Sequence, residues 1–310
     1  MNAADSGNDW FSGVLSPVVT PFNADLTPDA DRLIHHCQWL LSQNVGLAVF
    51  GTNSEANSLS VDEKIELLDR LVDAGIDPGR MMPGTGCCAL SDSVKLTRKA
   101  VELNCRGTLI LPPFYYKGVS DDGLYDSYAR IIDQVGDARL NIYLYHIPQM
   151  SSVPIPLNLI ERLIADYPDT IAGIKDSSGD WDNTKAMLDR QWVNFRIFAG
   201  SESFLLANMR NGGAGCISAT ANVNPAAIYG LYNEWQGEHS DIKQKNLDEV
   251  RGTFQKYPMI PALKAAVAHY GKDPAWTTVR PPLLALTGDQ QAALAADLKK
   301  ISFVMPGLKS

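Results

Sequence analysis

The sequence predicts an α/β chain folded as a (β/α)8 TIM barrel with a C-terminal helical appendage. Short apolar runs alternate eight times with longer stretches of helical period. Each run is almost continuously apolar, as parallel strands covered on both faces are. After Pro225 the pattern changes to helices alone. The competing architecture is an open doubly wound sheet. Its Gly-rich phosphate turn after the first strand is absent, because Val14–Thr20 runs into Pro21 and Phe22. A chain of 310 residues suits one barrel of ~250 residues plus an appendage.

In order, the expected strands are Val14–Val19, Gly46–Phe50, Met81–Gly84, Thr108–Leu111, Ile142–His146, Ile171–Lys175, Arg196–Ala199 and Gly215–Ala219. Between them lie amphipathic segments. Asp31–Leu41 carries Leu33, Ile34, Cys37, Trp39, Leu40 and Leu41 at helical spacing, and Asp62–Val72 follows a Ser60–Glu63 capping-box pattern. Leu157–Ile164 repeats the theme. The later helices are expected at Ala226–Trp235, Ile242–Tyr257, Pro261–Tyr270 and Gln290–Lys300, punctuated by Gly271, Pro274, Pro281 and Pro282. The expected organisation is an N-terminal extension over 1–12, the barrel over 13–235 and a C-terminal helical segment over 236–310.

A net charge of −8 with no basic stretch argues against nucleic acid or an anionic membrane as partner. No run of 18 apolar residues exists to span a bilayer, and Met1–Trp10 lacks the apolar core of a secretory signal. The five cysteines Cys37, Cys87, Cys88, Cys105 and Cys216 show no C-x-x-C spacing. Reduced thiols in a cytoplasmic protein are expected. No cofactor is implied. No histidine or carboxylate cluster stands at ligand spacing, so no metal is expected either.

In such a barrel functional groups sit at the C-terminal ends of strands and in the loops that follow. Lys175 ends the apolar run Ile171–Ile174. Burial disfavours the charged form of an amine, and a neutral amine attacks carbonyls to give an imine. A lysine there can equally snorkel to the rim or bridge to Asp176. Tyr145 ends the preceding strand, so it should stand beside Lys175 and could shuttle protons, or be a core tyrosine satisfied locally. The turn Gly51–Glu55 could hold a small carboxylate through its amides, Thr52 and Asn53, or could simply cap a helix. His146 ends strand five.

These pieces are similar to the dihydrodipicolinate synthase and N-acetylneuraminate lyase family of pyruvate-dependent class I aldolases. The resemblance runs from about Gly13 to about Leu298. It is carried by SPVVTPF at 16–22, GTNSE at 51–55, PGTG at 83–86, GLY at 123–125, YHIP at 145–148, GIKDSSGD at 173–180 and ISATANVNP at 217–225. The resemblance implies that Lys175 forms the imine and Tyr145 moves protons at the substrate. It implies that Thr52 links Tyr145 to a second tyrosine, here Tyr116, supplied across a subunit interface. A dimer or a tetramer of dimers follows from that. The Ile217 carbonyl is implied to line the pyruvate pocket. Ser201 and Glu202 fall where the lyase branch contacts sugar hydroxyls.

This chain departs from the family pattern at three places. The strand-two loop has Thr52-Asn53 followed by Ser54, where the family has two hydroxyl residues followed by Gly. Met150 falls where the synthase branch has an arginine that grips a carboxylate, and a thioether offers no such grip. His146 replaces the more frequent asparagine, either to reach a substrate hydroxyl or to pack. The expected activity is a lyase that cleaves or forms a 2-oxo acid, such as a 2-keto-3-deoxy sugar acid, with pyruvate as one partner. The alternatives are a true synthase using aspartate semialdehyde, a 2-keto-3-deoxy acid dehydratase, a hydratase-aldolase, or a non-catalytic keto-acid-binding relative.

Overall fold

Seven parallel strands form one curled sheet: β1 Gly13–Ser16, β2 Gly46–Leu47, β3 Thr108–Ile110, β4 Ile142–His146, β5 Ile171–Asp176, β6 Arg196–Ala199 and β7 Gly215–Ile217. Their order across the sheet is β2-β1-β7-β6-β5-β4-β3. The structure is a computed structural model and describes residues 10–308. The first nine residues of the expected N-terminal extension, with most of the stretch tested for a secretory signal, lie outside the described residues.

Eight strands are expected from the sequence, and the third, Met81–Gly84, is not a regular strand. It is reduced to single bridges, Leu47 with Met81 and Gly84 with Leu109, both parallel. Those bridges nonetheless join the two edges of the ladder. Met82 N–H donates to the Leu47 carbonyl at 2.8 Å and Gly84 N–H to Val49 at 2.7 Å. On the other side Leu109 N–H donates to Pro83 at 2.9 Å and Thr85 N–H to Leu109 at 3.0 Å. The crowding has a local cause: a Cβ on Gly84 would lie 2.2 Å from the Phe50 carbonyl oxygen. Phe50 itself has φ +62°, which ends β2 three residues before its apolar run does. β1 stops at Ser16 because Pro17 has no N–H to extend the ladder.

The helices are α1 Ala30–Ser42, α2 Val61–Asp73, α3 Leu90–Glu102, α4 Asp121–Val135, α5 Pro148–Ser151, α6 Leu157–Asp166, α7 Trp181–Leu188, α8 Leu205–Arg210, α9 Pro225–Asn233, α10 Ser240–Phe254, α11 Met259–Gly271 and α12 Gly288–Lys300. The capping box anticipated before α2 is present: Glu63 N–H donates to Ser60 Oγ at 3.1 Å, and Ser60 N–H donates to Glu63 Oε2 at 2.8 Å. A second box, Thr287 with Gln290, starts α12.

Strand residues alternate between two cores, as a period of two requires. Leu15, Tyr143, Tyr145, Phe198 and Ile217 pack inside the barrel with Trp10 and Phe11. Val14 and Cys216 face outward onto one set of helices, while Ile142, Leu144, Ile174 and Ile197 face another. Phe11 N–H donates to the Tyr143 hydroxyl at 2.8 Å, which ties the start of the described chain to the barrel interior. The register pairs Tyr145 with Lys175. Lys175 lies one residue beyond the outward-facing Ile174, so it takes the inward parity of Tyr145.

Candidate active site

A cavity of about 490 Å³ lies where β4, β5 and β6 end, and Thr52, Asn53, Tyr145, Lys175, Ser201 and Arg251 contribute to its lining. Lys175 is 2% exposed. Its Nζ stands 4.2 Å from the centroid of the Tyr145 ring. It makes no hydrogen bond or ion pair with a described residue. The neighbouring Asp176 does not take it. That carboxylate accepts from Ser178 N–H at 2.9 Å, Asn183 Nδ2 at 2.9 Å and Thr184 Oγ1 at 2.6 Å. A buried amine without an acid partner, at the wall of a cavity, is free to act as a nucleophile toward a carbonyl.

The Tyr145 hydroxyl lies 3.0 Å from Thr52 Oγ1, so a proton can pass along a hydroxyl pair beside the amine. The loop carrying Thr52 is one tight turn, Thr52–Ser54, ended by Glu55 at φ +55°. Its shape is held from several sides. Ser54 Oγ accepts from Gly51 N–H at 3.1 Å and the Ser54 carbonyl accepts from Thr20 Oγ1 at 2.7 Å. A serine at this position therefore closes the turn with its own side chain. Behind it, Glu55 Oε1 receives Lys264 Nζ at 2.7 Å from α11, and Glu55 Oε2 accepts from Arg280 N–H at 2.9 Å. Asn53 also lines the cavity.

Not every residue expected at the site lies in it. Tyr116 is 72% exposed and packs edge-on against Tyr115, 5.3 Å between ring centroids, outside the cavity of its own chain. His146 is buried, and its Nδ1 accepts from Ile155 N–H at 3.0 Å. Burial holds its basicity below the usual histidine range, with nearby Asp176 opposing that shift. It packs behind the wall and is not part of the lining. Ile217 is fully buried in the barrel interior and is likewise not part of the lining.

Ser201 lines the cavity, but Glu202 turns away from it and is 1% exposed. Its carboxylate accepts from the Ser218 and Thr220 hydroxyls and from Arg251 Nη1, the last at 3.0 Å. Arg251, on α10, is the site residue that the rule of strand ends could not find. Ser177, whose buried Oγ has no partner, lines the cavity too. Met150 also reaches the cavity.

Among the described residues no group of His, Cys, Asp and Glu could hold a metal ion. No described helix is long and apolar enough to cross a membrane.

Known proteins share both sequence and architecture with this chain. A DapA-like lyase, itself uncharacterised, from Chloroflexus aurantiacus is 34% identical over 293 residues, covering 93% of this chain and 96% of that relative. A 4-hydroxy-tetrahydrodipicolinate synthase from Methanococcoides burtonii is 30% identical over 297 residues, covering 94% and 98%. The crystal structure of dihydrodipicolinate synthase from Agrobacterium tumefaciens superposes with a TM-score of 0.86 at 29% identity, covering 93% of this chain and 99% of that one. The dihydrodipicolinate synthetase family pattern matches residues 10–301, from Trp10 in the barrel interior to the end of the last helix. With a parallel barrel and a lysine–tyrosine pair at the ends of adjacent strands, this chain belongs to the dihydrodipicolinate synthetase family, whose members are lyases.

Proposed function

We propose that the protein is a class I lyase that cleaves or forms a 2-oxo acid through an imine on Lys175, with pyruvate as one partner. The observation that carries this reading is the buried Lys175 amine, unpaired and 4.2 Å from the Tyr145 ring centroid at the cavity wall. The amine adds to the C2 carbonyl and water leaves, giving an iminium. The C3–C4 bond then breaks with its electron pair drawn into the iminium as an enamine. The C4 hydroxyl proton passes to the Tyr145–Thr52 hydroxyl pair as the aldehyde departs. The pair relays that proton on to C3 of the enamine, and hydrolysis by water then returns pyruvate and the free amine. Asn53 and the turn amides hold the C1 carboxylate. Ser201 borders the part of the pocket beyond C4, and His146 and Glu202 support that wall from behind. Loss of the C4 hydroxyl as water from the same imine would make the chain a dehydratase.

A second reading, condensation of pyruvate with aspartate semialdehyde, is favoured by the name of the Methanococcoides relative. Met150 counts against it, since a thioether cannot bind the aldehyde's carboxylate. We further propose that Tyr116 completes the hydroxyl relay in a second copy of the chain, in a dimer or homotetramer. The C-terminal helices serve as an appendage that closes one side of the cavity. The protein works in the cytoplasm, where its five free thiols stay reduced.

Pyruvate with borohydride tests the reading. Reductive trapping should add the mass of the reduced adduct at Lys175 and nowhere in Lys175→Ala. An untouched Lys175 would refute the imine. Pyruvate release from a panel of 4-hydroxy-2-oxo acids would then separate lyase from dehydratase, and dihydrodipicolinate formation from pyruvate and aspartate semialdehyde would restore the synthase.

A further inference from the structure

We infer that Lys264 is a positioning residue of the reaction: through Glu55 it sets the Thr52 hydroxyl against Tyr145. The inference rests on the imine reading above and gives the C-terminal helices a part in its proton transfer.

Thr52 is held from behind by one residue. The Glu55 N–H donates to the Thr52 carbonyl at 3.1 Å, and Thr52 Oγ1 stands 3.0 Å from the Tyr145 hydroxyl. Where Glu55 sits therefore decides where the Thr52 hydroxyl sits. Glu55 has φ +55° and ψ +34°, a left-handed conformation that a residue with a Cβ keeps only when its surroundings hold it there.

Those surroundings act on both carboxylate oxygens. Lys264 Nζ donates to Oε1 at 2.7 Å from α11, and Arg280 N–H donates to Oε2 at 2.9 Å. Arg280 is itself fixed, since its Nε donates to the Leu26 carbonyl at 2.8 Å and its Nη1 to the Ser58 carbonyl at 2.6 Å. The Phe22 ring packs against both cations, 4.5 Å from Lys264 Nζ and 4.7 Å from the Arg280 guanidinium carbon. Two anchors fix the carboxylate. One alone would leave it a hinge.

Helix α11 also walls the cavity with Met259, Ile260 and Pro261. Ile260 and Pro261 lie four and three residues before Lys264, on the same helical face. One face of one helix thus borders the substrate and grips the turn that carries Thr52. The burial of the pair favours this duty over plain stability. Both side chains are fully buried, and desolvation makes a buried ion pair no firmer a brace than an apolar pair of like volume. A charge-assisted hydrogen bond adds what an apolar pair lacks, a fixed distance and direction.

The test uses the full chain with pyruvate alone in deuterium oxide. The iminium on Lys175 gives a C3 proton to the hydroxyl pair, and the C–H electrons form the enamine. A deuteron returned by the pair then labels the methyl group, so NMR reads proton transfer without a second substrate. Lys264→Met combined with Glu55→Gln removes the link and leaves no lone buried charge. Measured well below its melting temperature, this double variant should still take the borohydride adduct at Lys175. Its exchange at C3 should be roughly 10–10²-fold slower. Thr52→Val should cost little more in that background, because both changes break the same contact. Wild-type exchange in the folded double variant would overturn the inference, since a pair that only braces the fold leaves the rate alone. Losses that multiply when Thr52→Val is added would overturn it too. Should the double variant not fold, Lys264→Gln, shorter but still able to donate to Glu55, takes its place under the same two criteria. No adduct in the wild type refutes the imine and this inference with it. An adduct without exchange in the wild type refutes the hydroxyl relay and this inference. Both present in the wild type, beside an unslowed variant, refute this inference alone.

Discussion

Lys264 and Glu55 meet at 2.7 Å with both side chains fully buried, so helix α11 is pinned to the turn that carries Thr52 and Asn53. The amine also lies 4.5 Å from the Phe22 ring centroid. Burial weakens the basicity of Lys264, and the adjacent Glu55 charge partly restores it.

Removing one partner strands the other. Lys264→Met should destabilise the fold by about 3–5 kcal/mol, because it leaves the Glu55 carboxyl buried with only the Arg280 N–H to satisfy it. Adding Glu55→Gln should recover a large part of that loss. Denaturant midpoints of the two variants check the order, and a double variant no more stable than the single would disprove the coupling.

The Tyr145–Thr52 contact of 3.0 Å makes a kinetic claim. Tyr145→Phe should slow turnover by roughly 10²–10⁴-fold, with Thr52→Val causing a smaller loss of the same kind. Both should still form the borohydride adduct at Lys175. Near-wild-type turnover in Tyr145→Phe would move proton transfer to another group.

Tyr116 gives a test of assembly. At 72% exposure it contributes little to the stability of its own chain. Tyr116→Ala should therefore leave the melting temperature of the chain within experimental error while turnover falls by about tenfold or more. Sedimentation in parallel should find a dimer or tetramer. A monomer at full activity would remove the relay across copies.

His36 sets part of the acid response. It is 2% exposed against Trp39 and Trp276, and burial pushes it from 6.5 down to about 4. Between these values the unfolded chain binds the proton and the folded one resists it. Stability is therefore fully present above pH 6.5 and falls as the pH drops toward about 4. At about 1.4 kcal/mol per unit the loss is on the order of 3 kcal/mol. Below that, Glu63, held near 2 chiefly by its hydrogen bond from Arg280, adds a further decline from pH 4.5 downward. His36→Phe should flatten the upper limb of the curve and leave the lower one. Urea midpoints from pH 7 to pH 3 would show whether the upper limb persists.

Much of the barrel was legible because its strands are short, apolar and regularly spaced. Tyr145 and Lys175 stood out for the same reason: each ends an apolar run, and parity along paired strands turns both inward. The strand at Met81–Gly84 could not be read as irregular, since its distortion comes from Phe50 at positive φ and from backbone pressed against Gly84, neither of which alters apolar periodicity. The resemblance to the lyase branch implies a sugar contact for Glu202. Only the approach of Ser218, Thr220 and Arg251 shows that its oxygens are already occupied. Arg251 lies 76 positions after Lys175 on a helix with no motif, and tertiary packing alone brings it to the cavity. Tyr116 was tied to the site through a neighbour, and a single chain leaves it at the surface.

The bridges at Met81–Thr85 give the cylinder an irregular seam. Elsewhere neighbouring staves share ladders of two to five paired residues, whereas here single bridges hold each side. Local opening of the wall is expected first between β2 and β3. That gap is on the flank bearing the Thr52 turn, away from the β4–β5–β6 arc that fixes the amine and the phenol. Movement there would displace the turn that carries Thr52 and Asn53 while Tyr145 and Lys175 stay in register.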